Sequence, residues 1–366
     1  MIALVGRAGR DGARTRVASS WYARMLAGDL VDADALLEDR LPALAARAAR
    51  RLPWLRGAAI WLLAGREGAL ILTRGEPGAM TAIVLAAWVR RRPVVVLELI
   101  RPPASASRWR QPLRSAWWRA VERPAMRRAL VGGQVLTAAA RENCERAYGI
   151  APGRLQYLPW AWSRDPDEPT GPGGERRGVL ASGRAACDWA TLFAAARGRV
   201  WPLTVVCGAR DRPAVRALNA RGRADVRCEI PRLEHDELVR AAAVYVLALA
   251  EHDGGAGHVR LMTATQARTP VVASAVAALD GYAIDGETAL LVPPGDPEAL
   301  GRAIDRLLAD PGEASRLARN AFARASRWTY PRYFDAVRDL IDAALAGRPL
   351  PPRAPAAPSS ATDLAA

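Results

Sequence analysis

The sequence predicts an α/β protein of two Rossmann-like, doubly wound domains facing a cleft. Three observations predict it. A chain of 366 residues is about twice the usual domain size, so two domains of roughly 150–180 residues are expected. From residue 178 onward, short β-type runs alternate with helical patterns, the mark of βαβ units on a parallel sheet. Between the halves, SRDPDEPTGPGGERRG (163–178) is a Pro/Gly/charge cluster of the kind that joins domains.

In the first half, the strand candidates are MIALVG (1–6), AAIWLLA (58–64), GALILT (68–73), PVVVLEL (93–99) and ALVGGQVLTA (129–138), and a helical stretch runs from Thr137 to Tyr148. The second half gives GVLASG (178–183), PLTVVCG (202–208), ADVRCEI (224–230), VYVLAL (244–249), TPVVAS (269–274) and ALLVPP (289–294). Its clearest helix is DPEALGRAIDRLL, with Asp296 as N-cap, Pro297 in the first helical position, and Leu300, Ile304 and Leu307 on one face. A last amphipathic helix places Tyr333, Val337, Ile341 and Leu345 in register. The expected organisation is an N-terminal domain (1–162), a linker (163–177), a second domain (178–328), a helix crossing back to the first domain (329–347) and a disordered, proline-rich tail (348–366).

The formal charge is +15, and all 52 basic residues are arginine. They are spread over nearly every helical stretch, so they read as solvated helix faces, and no nucleic-acid partner is expected. Cys144, Cys187, Cys207 and Cys228 are dispersed without a CxxC pair, which argues against a metal site and a disulfide framework. No basic region precedes the opening apolar run, and AMTAIVLAAWV (79–89) is too short to span a bilayer. A cytoplasmic protein is expected.

Ligands of open α/β sheets bind beyond the carboxyl ends of the strands, so candidate residues are sought there. Gly6, Gly9 and Gly12 form a GxxGxxG turn, either a phosphate or acceptor loop or a plain tight turn. Glu98 ends a strand, where a carboxylate can take a proton or bind a hydroxyl; a surface glutamate is the plainer alternative. RWRQPLRSAWWRAVERPAMRR (108–128) interleaves seven arginines with Trp109, Trp117 and Trp118, fit either for peripheral contact with an anionic membrane or for ordinary packing. Arg184 follows the first strand of the second domain, either turning its fork toward a diphosphate or standing as a solvated loop arginine, with Asp188 as the next N-cap. Most telling is EHDGGAGHVRLMTATQARTPVVAS (251–274): a glycine loop opens a helix near His258, so backbone amides and the helix dipole can cradle a phosphate without any side chain, the alternative being a loop that only turns a corner.

With those segments in place, the second domain resembles the donor half of a GT-B glycosyltransferase, most similar to retaining glycosyltransferase family 4. ASGRAACDWATL, GAGHVRLMTATQARTPVVAS and GYAIDGETALLVPPGDPEALGRAIDRLLADP carry the likeness. LTAAARENCERAYGIAPGRLQYLPWAW is similar to the helix and strand closing such a family's first half. The resemblance implies transfer of a sugar from a nucleotide-diphosphate donor to a hydroxyl, with retention, no metal and no cofactor beyond the nucleotide-sugar co-substrate. It places the diphosphate on the amides around Gly257, His258 and Val259, beside Arg184, with Arg260 standing in for a lysine the chain lacks. Two glutamates that such relatives use for sugar and ribose fall at Gly255 and Thr263, leaving Glu251 and Asp253 as the nearby carboxylates. Glu98 and His258 are the catalytic candidates. The acceptor is a hydroxyl that the sequence does not identify; the Arg/Trp segment, if it meets the membrane, points to a lipid-linked or polysaccharide precursor of the cell envelope at the inner face. A catalytically silent scaffold partnering another transferase, and a nucleotide-sugar epimerase, are the alternatives.

Overall fold

A computed structural model describes residues 16–18, 20–26, 30–64, 68–89, 91–100, 111–161, 175–251 and 256–353. The chain divides into two compact units, Met1–Leu158 with Pro331–Ala356, and Pro159–Tyr330.

The first unit is a parallel sheet of β1 (Arg16–Ala18), β2 (Leu30–Asp32), β3 (Ala69–Thr73), β4 (Val94–Leu97), β5 (Leu130–Val135) and β6 (Leu155–Tyr157), in the order β2-β1-β3-β4-β5-β6. β3 and β4 are near-continuous apolar runs because both faces are covered: Leu70, Ile71, Val94, Val95 and Val96 are all buried. The last helix, Tyr330–Leu345, lies on this sheet. A Cβ on Gly132 of β5 would stand 2.3 Å from the Ala344 Cβ, so only glycine lets that helix approach, and Arg16 meets Asp342 at 2.7 Å. Helix Ala138–Tyr148 starts at Thr137, whose side chain accepts from the Ala140 amide, and ends at Gly149 in the left-handed region.

Three expectations for this half need correction, and one falls outside the described residues. AAIWLLA is the end of a helix, Pro53–Leu63, and not a strand. Its apolar run is too short for periodicity to separate the two, and Pro53 at the helix start decides it. β1 and β2, three residues each, escaped prediction together with the helices Ala33–Arg40 and Ala43–Arg51. The tail is ordered at its start: Leu350 is buried, its amide donates to the Gly153 carbonyl at 2.8 Å, and the Tyr157 amide donates to the Pro352 carbonyl at 2.9 Å. Leu350 covers the space left open at Gly132, and that apolar contact overrides the proline-rich composition. MIALVG lies outside the described residues.

The second unit holds β7 (Val179–Gly183), β8 (Leu203–Cys207), β9 (Ala224–Cys228), β10 (Val244–Leu247), β11 (Val271–Ser274) and β12 (Leu290–Val292), all parallel, in the order β12-β11-β10-β7-β8-β9. Counted within the unit, this is the 3-2-1-4-5-6 order, and strand order reverses between β7 and β10. Asp188 and Asp296 cap their helices as expected, accepting from the Thr191 amide at 3.0 Å and the Ala299 amide at 2.9 Å.

The expected boundaries shift by a few residues. Trp328 donates to the Pro159 carbonyl at 2.9 Å, and the Trp160 amide to the Tyr282 hydroxyl at 2.8 Å, which ties residues 159 and 160 to the second unit. At the end of the expected linker, Arg176 donates to Thr269 Oγ1 and the Ala267 carbonyl, each at 2.6 Å, so that end is part of the folded unit. No helix among the described residues is long and apolar enough to cross a membrane.

Candidate functional site

At the reversal between β7 and β10, two loops meet. The Asp188 amide donates to the Ala248 carbonyl and the Ala250 amide to the Ala186 carbonyl, so the segment after β7 is stitched to the segment after β10. Ala186 has a φ of 51°, a backbone strain on the order of 1 kcal/mol for a non-glycine residue, of the kind that collects at binding sites.

Gly257 ends the β10 loop with a φ of 92° and caps the helix His258–Gln266. The first helical bond runs from the Leu261 amide to the Gly257 carbonyl at 2.8 Å. The amides of residues 258–260 therefore have no partner within the helix and, with the dipole, form an anion-binding end. Arg184, after β7, is largely exposed and lies 2.8 Å from Glu229. Glu229 itself follows β9 with a φ of 54° and accepts from the Ala209 amide at 2.9 Å. One carboxylate thus ties together the carboxyl ends of β7, β8 and β9 and holds the Arg184 fork in place. Sequence reasoning missed Glu229, although it ends a strand just as Glu98 does.

Arg260, expected beside the diphosphate, is a strut instead. It donates to the Ser182 carbonyl at 2.7 Å and the Ala185 carbonyl at 3.0 Å. A Cβ on Gly183 would lie 2.2 Å from Arg260 Nη1, so the strut needs that glycine. His258 is buried, its ring stacked on Tyr282 with centroids 4.1 Å apart. Its Nε2–H donates to the Ala278 carbonyl at 2.5 Å, and burial holds the ring neutral with a pKa lowered to about 4. The imidazole is therefore a packing element here, and the amide behind it faces the helix end. Thr263 donates back to the Val259 carbonyl at 2.9 Å, a bond within its own helix, while the Val259 side chain is exposed. Glu251 is exposed at the loop start. Asp253 and Gly255 lie outside the described residues.

The first unit carries its own polar cluster at the carboxyl edge of its sheet. Glu98 follows β4 with a φ of 51° and accepts from the Tyr22 hydroxyl at 3.0 Å. Tyr22 meets the Tyr333 hydroxyl at 2.8 Å, and Gln134 donates to Tyr333 and to the Leu158 carbonyl, each at 2.9 Å. Burial pushes the Glu98 carboxyl above its usual range, with the Tyr22 hydrogen bond opposing. The half-buried Glu98 is the accessible end of an otherwise buried relay. Gly6, Gly9 and Gly12 lie outside the described residues. Within the Arg/Trp segment, Trp117 is 52% exposed, whereas Trp118 packs on Tyr148 with ring centroids 6.0 Å apart. Arg108, Trp109 and Arg110 are not among the described residues.

Two Rossmann-like parallel sheets in one chain define an α/β protein of the GT-B class. Residues 182–310 match the family model Glycosyl transferases group 1, a stretch that begins at the end of β7 and contains Arg184 and the Gly257-capped helix. The chain is 35% identical over 155 residues to a D-inositol 3-phosphate glycosyltransferase of Xylanimonas cellulosilytica, covering 40% of this chain and 36% of that protein. A second D-inositol 3-phosphate glycosyltransferase, from Streptomyces bingchenggensis, is 33% identical over 120 residues, covering 32% of this chain and 26% of that protein. The chain thus spans about a third or less of the length of these relatives. Among solved structures, sucrose-phosphate synthase from Thermosynechococcus elongatus superposes with a TM-score of 0.63 at 21% identity, covering 84% of this chain and 80% of the other. Anabaena HepE in complex with UDP-glucose gives 0.62 at 14% identity, covering 79% and 82%. These structural likenesses are of fold, and together with the sequence matches they make the chain similar to the GT-B glycosyltransferases of family 4.

Proposed function

We propose that the protein is a glycosyltransferase that moves a sugar from a nucleoside-diphosphate sugar to a hydroxyl acceptor. The observation that carries this reading is the second unit's strand reversal: a helix end capped by Gly257, whose first amides have no partner within the helix, stands at the carboxyl end of β10, beside the β7 loop bearing Arg184. Backbone amides there suit the diphosphate, and Arg184, held by Glu229, supplies a forked donor. The reading includes retention, no required metal and no further cofactor. Glu98 in the first unit is proposed as the carboxyl that meets the acceptor, a lipid-linked or polysaccharide hydroxyl at the inner face of the membrane, with Leu113 and Trp117 of the Arg/Trp segment at the lipid surface. HepE's complex with UDP-glucose supports a uridine-linked donor as the first to try.

Calorimetric titration with UDP-, GDP- and ADP-sugars tests the proposal. One donor should bind, and Arg184→Ala should weaken it about tenfold or more, the loss of one charge-assisted bond of roughly 1.5–3 kcal/mol. No binding of any donor by folded protein would sink the idea. A second reading, a silent scaffold partnering another transferase, is favoured by the Thr263 hydroxyl being turned back into its own helix. Donor binding without transfer or donor hydrolysis would select it.

A further inference from the structure

On the first unit, helices Ala43–Arg51 and Pro53–Leu63 and the facing helix Ala79–Trp88 enclose an open groove of about 400 Å³. Leu41 and Ala49 form one wall, Leu55, Ala59 and Leu62 the other, and Leu85 closes it, so every wall is hydrocarbon. Leu62 of the lining is 56% exposed, and the first two helices and the turn between them carry exposed Leu44 (81%), Leu52 (43%) and Trp54 (61%). Scattered exposed leucines need no explanation, but four large exposed apolar side chains within twenty residues, on the two helices of an open apolar groove, mark an interaction surface.

The charge around the patch selects the occupant. Residues 43–63, ALAARAARRLPWLRGAAIWLL, contain four arginines and no acid. Arg56 is buried against Asp34 and Glu76, and Arg50 pairs with Glu38. Arg47 and Arg51 are exposed, and among the described residues neither has an ion-pair partner. At about 100° per residue, both project from the flank of their helix beyond Leu44, away from Ala45 and Ala49 on the groove side. Such an order, groove, then leucine, then arginine, fits a surface whose hydrocarbon lies inside a layer of negative charge. A second copy of this chain fits less well, because a twofold contact would set Arg47 and Arg51 against the same arginines. Exposed Trp54, at the start of the second helix, suits the headgroup level.

We infer that this groove seats the protein on an anionic lipid bilayer, with an acyl chain entering between the two helices and Arg47 and Arg51 meeting the lipid phosphates. The site is separate from the Arg/Trp segment and needs no nucleotide sugar. Its failure is therefore distinguishable from failure of the transferase reading.

Sedimentation of the whole chain with vesicles decides it. Binding is expected to vesicles of equal parts phosphatidylglycerol and phosphatidylcholine and not to phosphatidylcholine alone. Leu62→Glu and Leu44→Glu, both exposed and so harmless to folding by circular dichroism, should each lower the bound fraction at least fivefold, and Arg47→Glu with Arg51→Glu should do likewise. Leu113→Glu, in the Arg/Trp segment, should have a smaller effect. The inference is overturned by absence of binding to the anionic vesicles, or by wild-type binding of both leucine variants. It is equally overturned if ultracentrifugation shows a dimer that Leu62→Glu dissociates, since the groove would then be a contact between copies.

Discussion

His258 shows how a residue that looks catalytic in a sequence can be structural. It opens the helix whose amides form the anion-binding end, yet its ring turns inward onto Tyr282 and the Ala278 carbonyl. Burial lowers its pKa to about 4, whereas an unfolded chain titrates near 6.5. Below that pH the unfolded state takes up a proton that the folded state refuses, so stability is intact near neutrality and falls as the pH drops from about 6.5 toward 4. The full loss is on the order of 3 kcal/mol. We predict that wild type loses about 2–3 kcal/mol more than His258→Gln between pH 7 and pH 4.5, read by urea unfolding at the two pH values. The amide of glutamine keeps a donor for Ala278 and cannot become charged, so equal losses in both proteins would refute the assignment. Arg260 carries a related lesson. Its spacing after the glycine loop suggested a phosphate ligand, but both arms of its fork are held by backbone carbonyls of the β7 loop. Its role is to fix that loop in place.

Among elements, the meeting of helix Pro53–Leu63 with the start of helix Ala79–Trp88 is set by two glycines. A Cβ on Gly57 would lie 2.2 Å from the Gly78 carbonyl oxygen and 2.8 Å from the Thr81 Cβ. Gly→Ala inside a helix ordinarily gains about 1 kcal/mol. Here the clash is with backbone, and overpacking costs about 1–3 kcal/mol or more. Gly57→Ala is therefore expected to destabilise by about 1–2 kcal/mol net, seen as a lower denaturation midpoint; a raised midpoint would show that the helices part freely. It should also widen the apolar groove. These contacts also explain what the sequence disclosed. The second unit was legible because most of its strands are apolar runs ended by a turn and two of its helices announce themselves through Asp188 and Asp296, cues that act within a few residues. In the first unit, Ile60 and Trp61 lie in an apolar run too short to separate strand from helix, and the helix is seated by Gly57 meeting Gly78, a contact between residues 21 apart in the chain. Leu350 is ordered by Gly132, farther away still. At the site, Gly257 and Arg184 were visible as a glycine loop and a strand-end arginine. Glu229 was not, because its value lies in reaching Arg184 from a different strand. The directions taken by His258, Arg260 and Thr263 are packing outcomes that spacing does not encode.

Across the whole molecule, the chain leaves the first unit at Leu158, completes the second, and returns at Pro331. Helix Tyr330–Leu345 thus belongs to a core assembled from the opposite end of the sequence. Tyr333, Phe334, Val337, Leu340 and Ile341 are all buried, and at roughly 1.5–3 kcal/mol each their burial contributes about 8–15 kcal/mol before entropy is counted. That equals the entire stability of a typical domain, about 5–15 kcal/mol. Removing the helix would also take the Tyr333 hydroxyl away from Tyr22 and Gln134, a further loss of about 1 kcal/mol per hydrogen bond. The second unit's apolar core draws on none of these residues: its two clusters run from Val179 to Leu317 and from Leu180 to Ala289. A chain ending at residue 329 should therefore keep one unit and lose the other. Hydrogen exchange read by mass spectrometry is expected to show β3, β4 and β5 unprotected while β7, β10 and β11 exchange as slowly as in the intact protein. A chain ending at residue 353 retains Leu350 and should match the intact protein throughout. Protection of β4 in the shorter chain would mean that the first unit closes its core without the returning helix. Loss of protection in β10 would mean that the second unit depends on the first for its stability. If the expected pattern holds, the shorter chain offers the second unit alone. Titrating it with nucleotide sugars then tests whether the Gly257 helix end of the second unit suffices for the donor binding proposed above.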